Sequence, residues 1–284
     1  MSRLFVNRLT VIDFSYLNGE RGLLGDSLLA DVELVGDLDA QGMVLDFGDV
    51  KKQLKRAIDQ HFDHKLLVPY RYPGLQIADL HDGRQRLLFP LAAGGAIEHI
   101  APQDADTLID TDAITPDSLA QAIQDRLRPL MPANVQDLRI RLTPESIDGP
   151  AYQYSHGLKQ HDGNCQRIAH GHRSRLAILR DGQFDAALSA DWAERWRDIY
   201  IGTREDLLEE TELAGVPCYH FRYQAAQGQF DLTLPKRCCY LIDTESTVEN
   251  LAQHIAEVLK AEQPAAHFEV QAFEGVDKGA FGEA

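Results

Sequence analysis

Leu108-Ile-Asp-Thr-Asp-Ala-Ile-Thr-Pro-Asp-Ser-Leu-Ala-Gln-Ala-Ile123 recurs, with one deletion, as Leu241-Ile-Asp-Thr-Glu-Ser-Thr-Val-Glu-Asn-Leu-Ala-Gln-His-Ile255. In both copies a short apolar strand runs into Thr and an acid, then into a helix rich in Leu, Ala and Ile. Thr115 and Thr247 fall where a side-chain oxygen would cap the first free amides of that helix. Each helix is followed by a strand ending in an acid, Leu138 to Glu145 and Phe268 to Glu274. Self-similarity at this spacing points to a duplicated chain. The boundary is expected near Asp148-Gly149-Pro150, giving repeats at 1–147 and 148–284.

Working outward, the first repeat predicts strands at 5–17 and 28–35 joined by a glycine-rich hairpin. A helix over 48–61 follows, with Val50, Leu54, Ala57 and Ile58 on one face. Residues 68–106 read as irregular, and the second helix as 116–128. The second repeat predicts strands at 151–158 and 173–179, helices at 189–201 and 246–261, and an insertion-like region between them. Periodicity alone gives a duplicated α+β chain.

The second repeat also carries the chemistry. His170 and His172 lie two apart, so on a strand both imidazoles leave one face. His156, on the strand before, can complete a three-histidine cup. Three neutral imidazoles and one open position describe a catalytic zinc, because structural sites close all four. Cys165 reads either as a fourth ligand or as a reactive thiol beside the metal. The remaining histidines have no partner spacing; His161, in the loop between the ligand strands, is the strongest exception.

This pattern resembles the 6-pyruvoyl-tetrahydropterin synthase and 6-carboxy-tetrahydropterin synthase family. The likeness rests on Tyr152 to His156, Cys165 and His170-Gly171-His172, together with Gly42-Met43-Val44-Leu45-Asp46-Phe47 and Asp63-His64-Lys65-Leu66-Leu67. It implies two tandem tunnelling-fold units, each an antiparallel sheet with two helices. It also implies a lyase acting on 7,8-dihydroneopterin triphosphate, with zinc on the three histidines. In that reading Cys165 is the base, and His64, oriented by Asp63, is the second acid/base group. Glu274, with Glu145 as its alternative, anchors the pterin, and Thr247 and Glu249 line the same pocket. Lys65, Arg173 and Arg175 are the candidate cations for the triphosphate. A non-catalytic zinc or pterin module, and a zinc hydrolase of the GTP cyclohydrolase type, are the rival readings.

The first repeat lacks the metal residues. Aligned on the motif, Asn18 stands for the first histidine and Leu24-Gly25-Asp26 for His-Gly-His. The second repeat lacks an Asp-His pair after its first helix. One composite site per chain is therefore expected.

Composition sets the outer bounds. The 284 residues hold 28 basic and 44 acidic side chains, a net charge of −16. That argues against nucleic acid or anionic membrane as partner. Cysteines 165, 218, 238 and 239 form neither a CxxC nor a disulfide framework, which predicts a reduced, cytoplasmic protein. No apolar run approaches a membrane span. Tunnelling-fold units close barrels by edge pairing, so a homo-oligomer is expected.

Overall fold

The computed structural model describes the backbone of all 284 residues; the side chains of Phe47 and Asp49, the former in the Gly42–Phe47 motif, lie outside the described residues. In chain order the elements are β1 (Ser2–Asn18), β2 (Gly22–Gly36), α1 (Phe47–His61), β3 (Leu66–Pro69), β4 (Gln76–Asp79), β5 (Arg84–Pro90), β6 (Ala96–Pro102), β7 (Asp106–Ile109), α2 (Pro116–Leu127) and β8 (Val135–Pro144). There follow β9 (Ala151–His156), β10 (His170–Arg180), β11 (Gln183–Phe184), α3 (Ala186–Arg195), β12 (Ile199–Thr203), β13 (Leu207–Leu213), β14 (Val216–Ala225), β15 (Gly228–Pro235), β16 (Cys239–Ile242), α4 (Val248–Glu262), β17 (Phe268–Phe273) and β18 (Gly279–Glu283).

Two sheets repeat one plan. The first has the order β7-β3-β1-β2-β8, and the second β16-β12-β9-β10-β17-β18 with β11 beside β10. In each, a long antiparallel hairpin is flanked by a third antiparallel strand on one side and by short parallel strands on the other. Two helices cover one face of each. The chain is thus α+β, two tandem tunnelling-fold units, as the resemblance implied. Val50, Leu54, Ala57 and Ile58 of α1 join Leu119 and Ile123 of α2 in the first core. Trp192 and Trp196 join Leu251 and Ile255 of α4 in the second. Burial of each such Val, Leu or Ile side chain contributes about 1.5–3 kcal/mol.

Local chemistry explains the boundaries. Asn18 Oδ1 accepts from the amides of Glu20 and Arg21 and so turns β1 into β2 within three residues. The expected glycine-rich loop is instead mostly strand. Thr115 and Ser118 form a reciprocal capping box at α2. Thr247 Oγ1 accepts from Asn250 N at α4.

Two expectations fail. Residues 68–106 carry the strands β4, β5 and β6, and the insertion-like stretch carries β13 to β15. Together they build a third sheet, β13-β14-β15-β6-β5-β4, whose seam joins β6 of the first repeat to β15 of the second. It lies over the hairpin ends, packing Phe89, Phe221 and Phe230 against Leu17, Leu23 and Tyr200. The helix expected over 189–201 ends at Arg195, and Ile199–Thr203 continues as a fully buried strand.

The two hairpins cross at mid-strand. Ser15 Oγ and Ser155 Oγ share a hydrogen bond of 2.7 Å. A Cβ on Gly25 would lie 1.9 Å from the Tyr154 carbonyl, and one on Gly171 2.7 Å from Gly25 Cα. This close approach explains why glycine persists in the first repeat where both motif histidines are gone.

Candidate metal centre and acid/base pair

β9 and β10 place the histidines through their register. His170 pairs with His156, and His172 with Tyr154, so the three imidazoles share one face. All three are fully buried or nearly so. Their ring centroids lie 4.3, 5.4 and 5.7 Å apart. Each offers a ring nitrogen within 4.8 Å of the others.

The outward nitrogens are held. His156 Nδ1 lies 3.0 Å from both the carbonyl and the hydroxyl of Ser246, just before α4. His170 Nδ1 lies 3.0 Å from the Arg167 carbonyl. His172 Nδ1 lies 3.2 Å from Asp13 Oδ1, in contact though short of hydrogen-bond geometry. The inward Nε2 atoms of all three are buried without a partner. Buried unpaired ring nitrogens are costly, and three turned on one point fit a divalent ion of the zinc type. Burial first, then the neighbouring imidazoles, hold His156 and His170 well below the ordinary histidine pKa, keeping them in the neutral, ligand-competent form.

The first repeat supplies the second half of the site. Asp63 and His64 follow α1 and precede β3. His64 Nδ1 lies 2.6 Å from Asp63 Oδ2. Its ring centroid is 5.3 Å from that of His170 and 6.2 Å from that of His172. Cys165 joins His64 and His170 in a second group of mutually close ligand atoms. Burial opposes charge on His64, but the hydrogen bonds of Asp63 and Cys165 outweigh it and raise its pKa to about 10. His64 takes a left-handed φ of 53°, unusual for a non-glycine residue. Its amide donates to the Asp13 carbonyl, and its own carbonyl accepts from Arg167 Nη1. One chain therefore brings His156, His170, His172, Cys165, Asp63 and His64 together.

The expected substrate contacts fare unevenly. Glu274 Oε1 lies 3.9 Å from His172 Nε2, so this carboxylate sits at the cup itself. Glu145 is turned instead towards Arg175, at 3.7 Å, and its carbonyl accepts from Arg173 Nη1. Thr247 and Glu249 occupy the start of α4, beside Ser246. Of the expected phosphate cations, Lys65 is buried on Asp104, and Arg175 also pairs with Asp277. His161 accepts from the Gly163 amide within its own loop.

Sequence reasoning missed Asp13, Ser246 and Lys278. Lys278 Nζ lies 3.3 Å from Asp13 Oδ2 and 3.7 Å from Glu274 Oε2.

Register also corrects the alignment of the first repeat. Ser15 faces Gly25 as Ser155 faces Gly171, so Tyr16 and Leu24, rather than Asn18 and Leu24, stand for His156 and His170. Asp26 stands for His172. By the same pairing Asp198, with φ 58°, stands for His64. Arg21 closes this second position, donating from Nε and Nη2 to Asp198 and from Nη2 to Gln153.

Residues 20–148 match the family model of 6-pyruvoyl tetrahydropterin synthase. That is the family read from the motifs, and its members are lyases of pterin biosynthesis. The matched segment holds the Asp-His pair and stops short of β9. Among solved structures, the 6-pyruvoyltetrahydropterin synthase of Plasmodium vivax is 16% identical, with a TM-score of 0.42, covering 52% of this chain and 93% of that one. The Plasmodium falciparum enzyme is 15% identical, with a TM-score of 0.41, covering 50% of this chain and 91% of that one. No curated protein matches the chain. No helix is long and apolar enough to cross a membrane.

Proposed function

We propose that the chain is a zinc-dependent lyase of the 6-pyruvoyl- or 6-carboxy-tetrahydropterin synthase type, acting on 7,8-dihydroneopterin triphosphate. It would be organised as repeats 1–147 and 148–284 with one site per chain. The observation that carries this reading is the set of three buried, unpaired Nε2 atoms, beside an Asp-His pair and a cysteine. His156, His170 and His172 would hold the metal. Bound there, zinc supplies Lewis acidity to the substrate's side-chain hydroxyls.

Cys165 takes a carbon-bound proton as thiolate. His64, charged and fixed by Asp63, gives a proton back on the neighbouring carbon. Glu274 accepts from the substrate at the cup, and a carboxylate suits the paired N–H donors of a pterin edge. Thr247 and Glu249, at the start of α4 beside Ser246, would line the same pocket. Lys65, Arg173 and Arg175 are engaged by acids or carbonyls of this chain, so a triphosphate needs cations from elsewhere, such as another copy.

The two main sheets share no edge and touch at Ser15 and Ser155, which favours one repeat in each of two stacked rings over both in one ring. A monomer of about 32 kDa in light scattering contradicts the oligomer.

The test of the reading is elemental analysis joined to incubation with dihydroneopterin triphosphate. One zinc per chain and release of triphosphate support it; no bound metal, or an inert mixture, overturns it. A GTP cyclohydrolase-type hydrolase is the second reading. It draws on the closeness of Cys165 to His170, and incubation with GTP separates it.

A further inference from the structure

Asp13 sits on β1 of the first repeat, yet its side chain reaches the metal cup of the second. It is 4% exposed, and no motif of the metal site includes it. Its carboxylate is unusually well supplied with partners. Ser27 Oγ donates to Oδ1 at 2.5 Å, His172 Nδ1 lies 3.2 Å from the same oxygen, and Lys278 Nζ lies 3.3 Å from Oδ2. Ser27 is itself fixed by the Arg173 amide, from the strand that carries His172. The main chain of Asp13 meanwhile holds the acid/base pair: its amide donates to Asp63 Oδ1 at 2.9 Å, and its carbonyl accepts from His64 N at 2.6 Å.

We propose that Asp13 is a positioning residue through which the first repeat sets the orientation of His172 and locks the acid/base pair to the metal cup. The inference rests on the zinc reading above and adds a residue to it. Its physical basis is tautomer control. An imidazole that ligates through Nε2 must carry its proton on Nδ1, and a carboxylate at Nδ1 selects that tautomer and raises the basicity of the other nitrogen. His156 and His170 find neutral oxygens for this purpose, from Ser246 and Arg167. Of the three, only His172 has a carboxylate at its Nδ1, and that carboxylate comes from the other repeat; Glu274, of its own repeat, lies on the Nε2 side at 3.9 Å. The pseudo-equivalent of Asp13 is Gln153, which donates to the Gly25 carbonyl and serves no histidine. The carboxylate is thus present only where there is an imidazole to orient. Because the link to Asp63 and His64 runs through the backbone, a side-chain change at Asp13 should alter metal affinity and leave that pair in place.

The test uses the full-length chain and zinc competition against a chromophoric chelator. Asp13→Asn, which keeps the shape and an acceptor oxygen, should weaken zinc binding about 10-fold. Asp13→Ala should weaken it towards 100-fold, within the range that such supporting partners command. Asp13→Glu should fall nearer the parent than Asp13→Ala. Equal affinity in parent and Asp13→Asn, both folded, overturns the role of Asp13 and leaves the zinc reading standing. A parent that binds no zinc overturns both. Should the variants fail to fold, imidazole nitrogen resonances of the unaltered zinc-loaded protein decide: a proton on Nδ1 of His172 supports the proposal, and one on Nε2 overturns it.

Discussion

The two repeats share a hairpin, a crossing glycine and a pair of helices, but they have diverged at the same spot in opposite senses. In the second, β9 and β10 turn three imidazoles with unpaired nitrogens on one point. In the first, the equivalent positions are Tyr16, Leu24 and Asp26, and Arg21 seals the place by pairing with Asp198. The candidate acid/base residues invert the pattern: Asp63 and His64 follow α1, whereas Arg197 and Asp198 follow α3. One position is open in chemistry and the other satisfied within the protein. The position proposed to be reactive thus coincides with polar atoms left without partners, and the other position with polar atoms that have found them.

The comparison breaks most decisively at the cup. A His170→Ala/His172→Ala variant should lose its zinc outright while keeping its circular dichroism, since the helix-covered cores are built from other side chains and meet the cup through Tyr154 of the second core. Retained stoichiometric metal by elemental analysis would place the ion elsewhere. Next in size, His64→Ala or Cys165→Ala should lower turnover by about 10²–10⁴-fold with zinc content unchanged. Turnover equal to the parent's in His64→Ala would remove the first repeat from the chemistry. Mixing these two variants sharpens the point. The groups already meet within one chain, so mixed oligomers should regain no activity.

A smaller effect is expected in the first repeat. Burial, the largest influence on Asp26, raises its pKa from 3.8 to about 6. Its charged form is the one that the fold disfavours. The penalty is absent below about pH 3.8 and complete above about pH 6. Asp26→Asn should therefore stabilise the chain at pH 7.5 by on the order of 2 kcal/mol and have little effect at pH 4. Urea denaturation at the two pH values reads this directly, and equal effects at both would mean that Asp26 is already paid for by Arg21 and Arg173. Least of all, Arg21→Ala should cost under about 1 kcal/mol, because the Arg21–Asp198 pair is partly exposed. A larger loss in the same titrations would make the seal a structural keystone.

Much of this site was legible in the sequence because its parts are local. His-x-His on a strand puts two imidazoles on one face by parity, and Asp63-His64 are adjacent. Thr115 and Thr247 announce their helices by position. What was not legible depends on where distant strands meet. Asp13 and Ser246 touch the histidines only through tertiary packing, and no spacing rule joins residue 13 to residue 172. The alignment of Asn18 with His156 failed by two residues, a slip that keeps every side chain on its face and so leaves the alternation unchanged. Residues 68–106 hid their strands because β4 is exposed along its whole length and shows no alternation. Ile199–Thr203 is buried at every position, and a short apolar run of that kind reads equally well as helix.

The seam between β6 and β15 has a consequence for the chain as a single object. Three strands from each repeat lie in one sheet, joined by the pairing of His99 with Leu232 and its neighbours. A nick in the connection between Pro144 and Ala151 would sever the covalent tie and leave this backbone ladder intact. Either half made alone would instead bear a raw strand edge and an uncovered layer of Phe89 or Phe221, the kind of surface that seeks another copy of itself. Each repeat keeps its own helix-covered core, but the layer beneath the third sheet belongs to both, so neither repeat can be trimmed away without stripping the other.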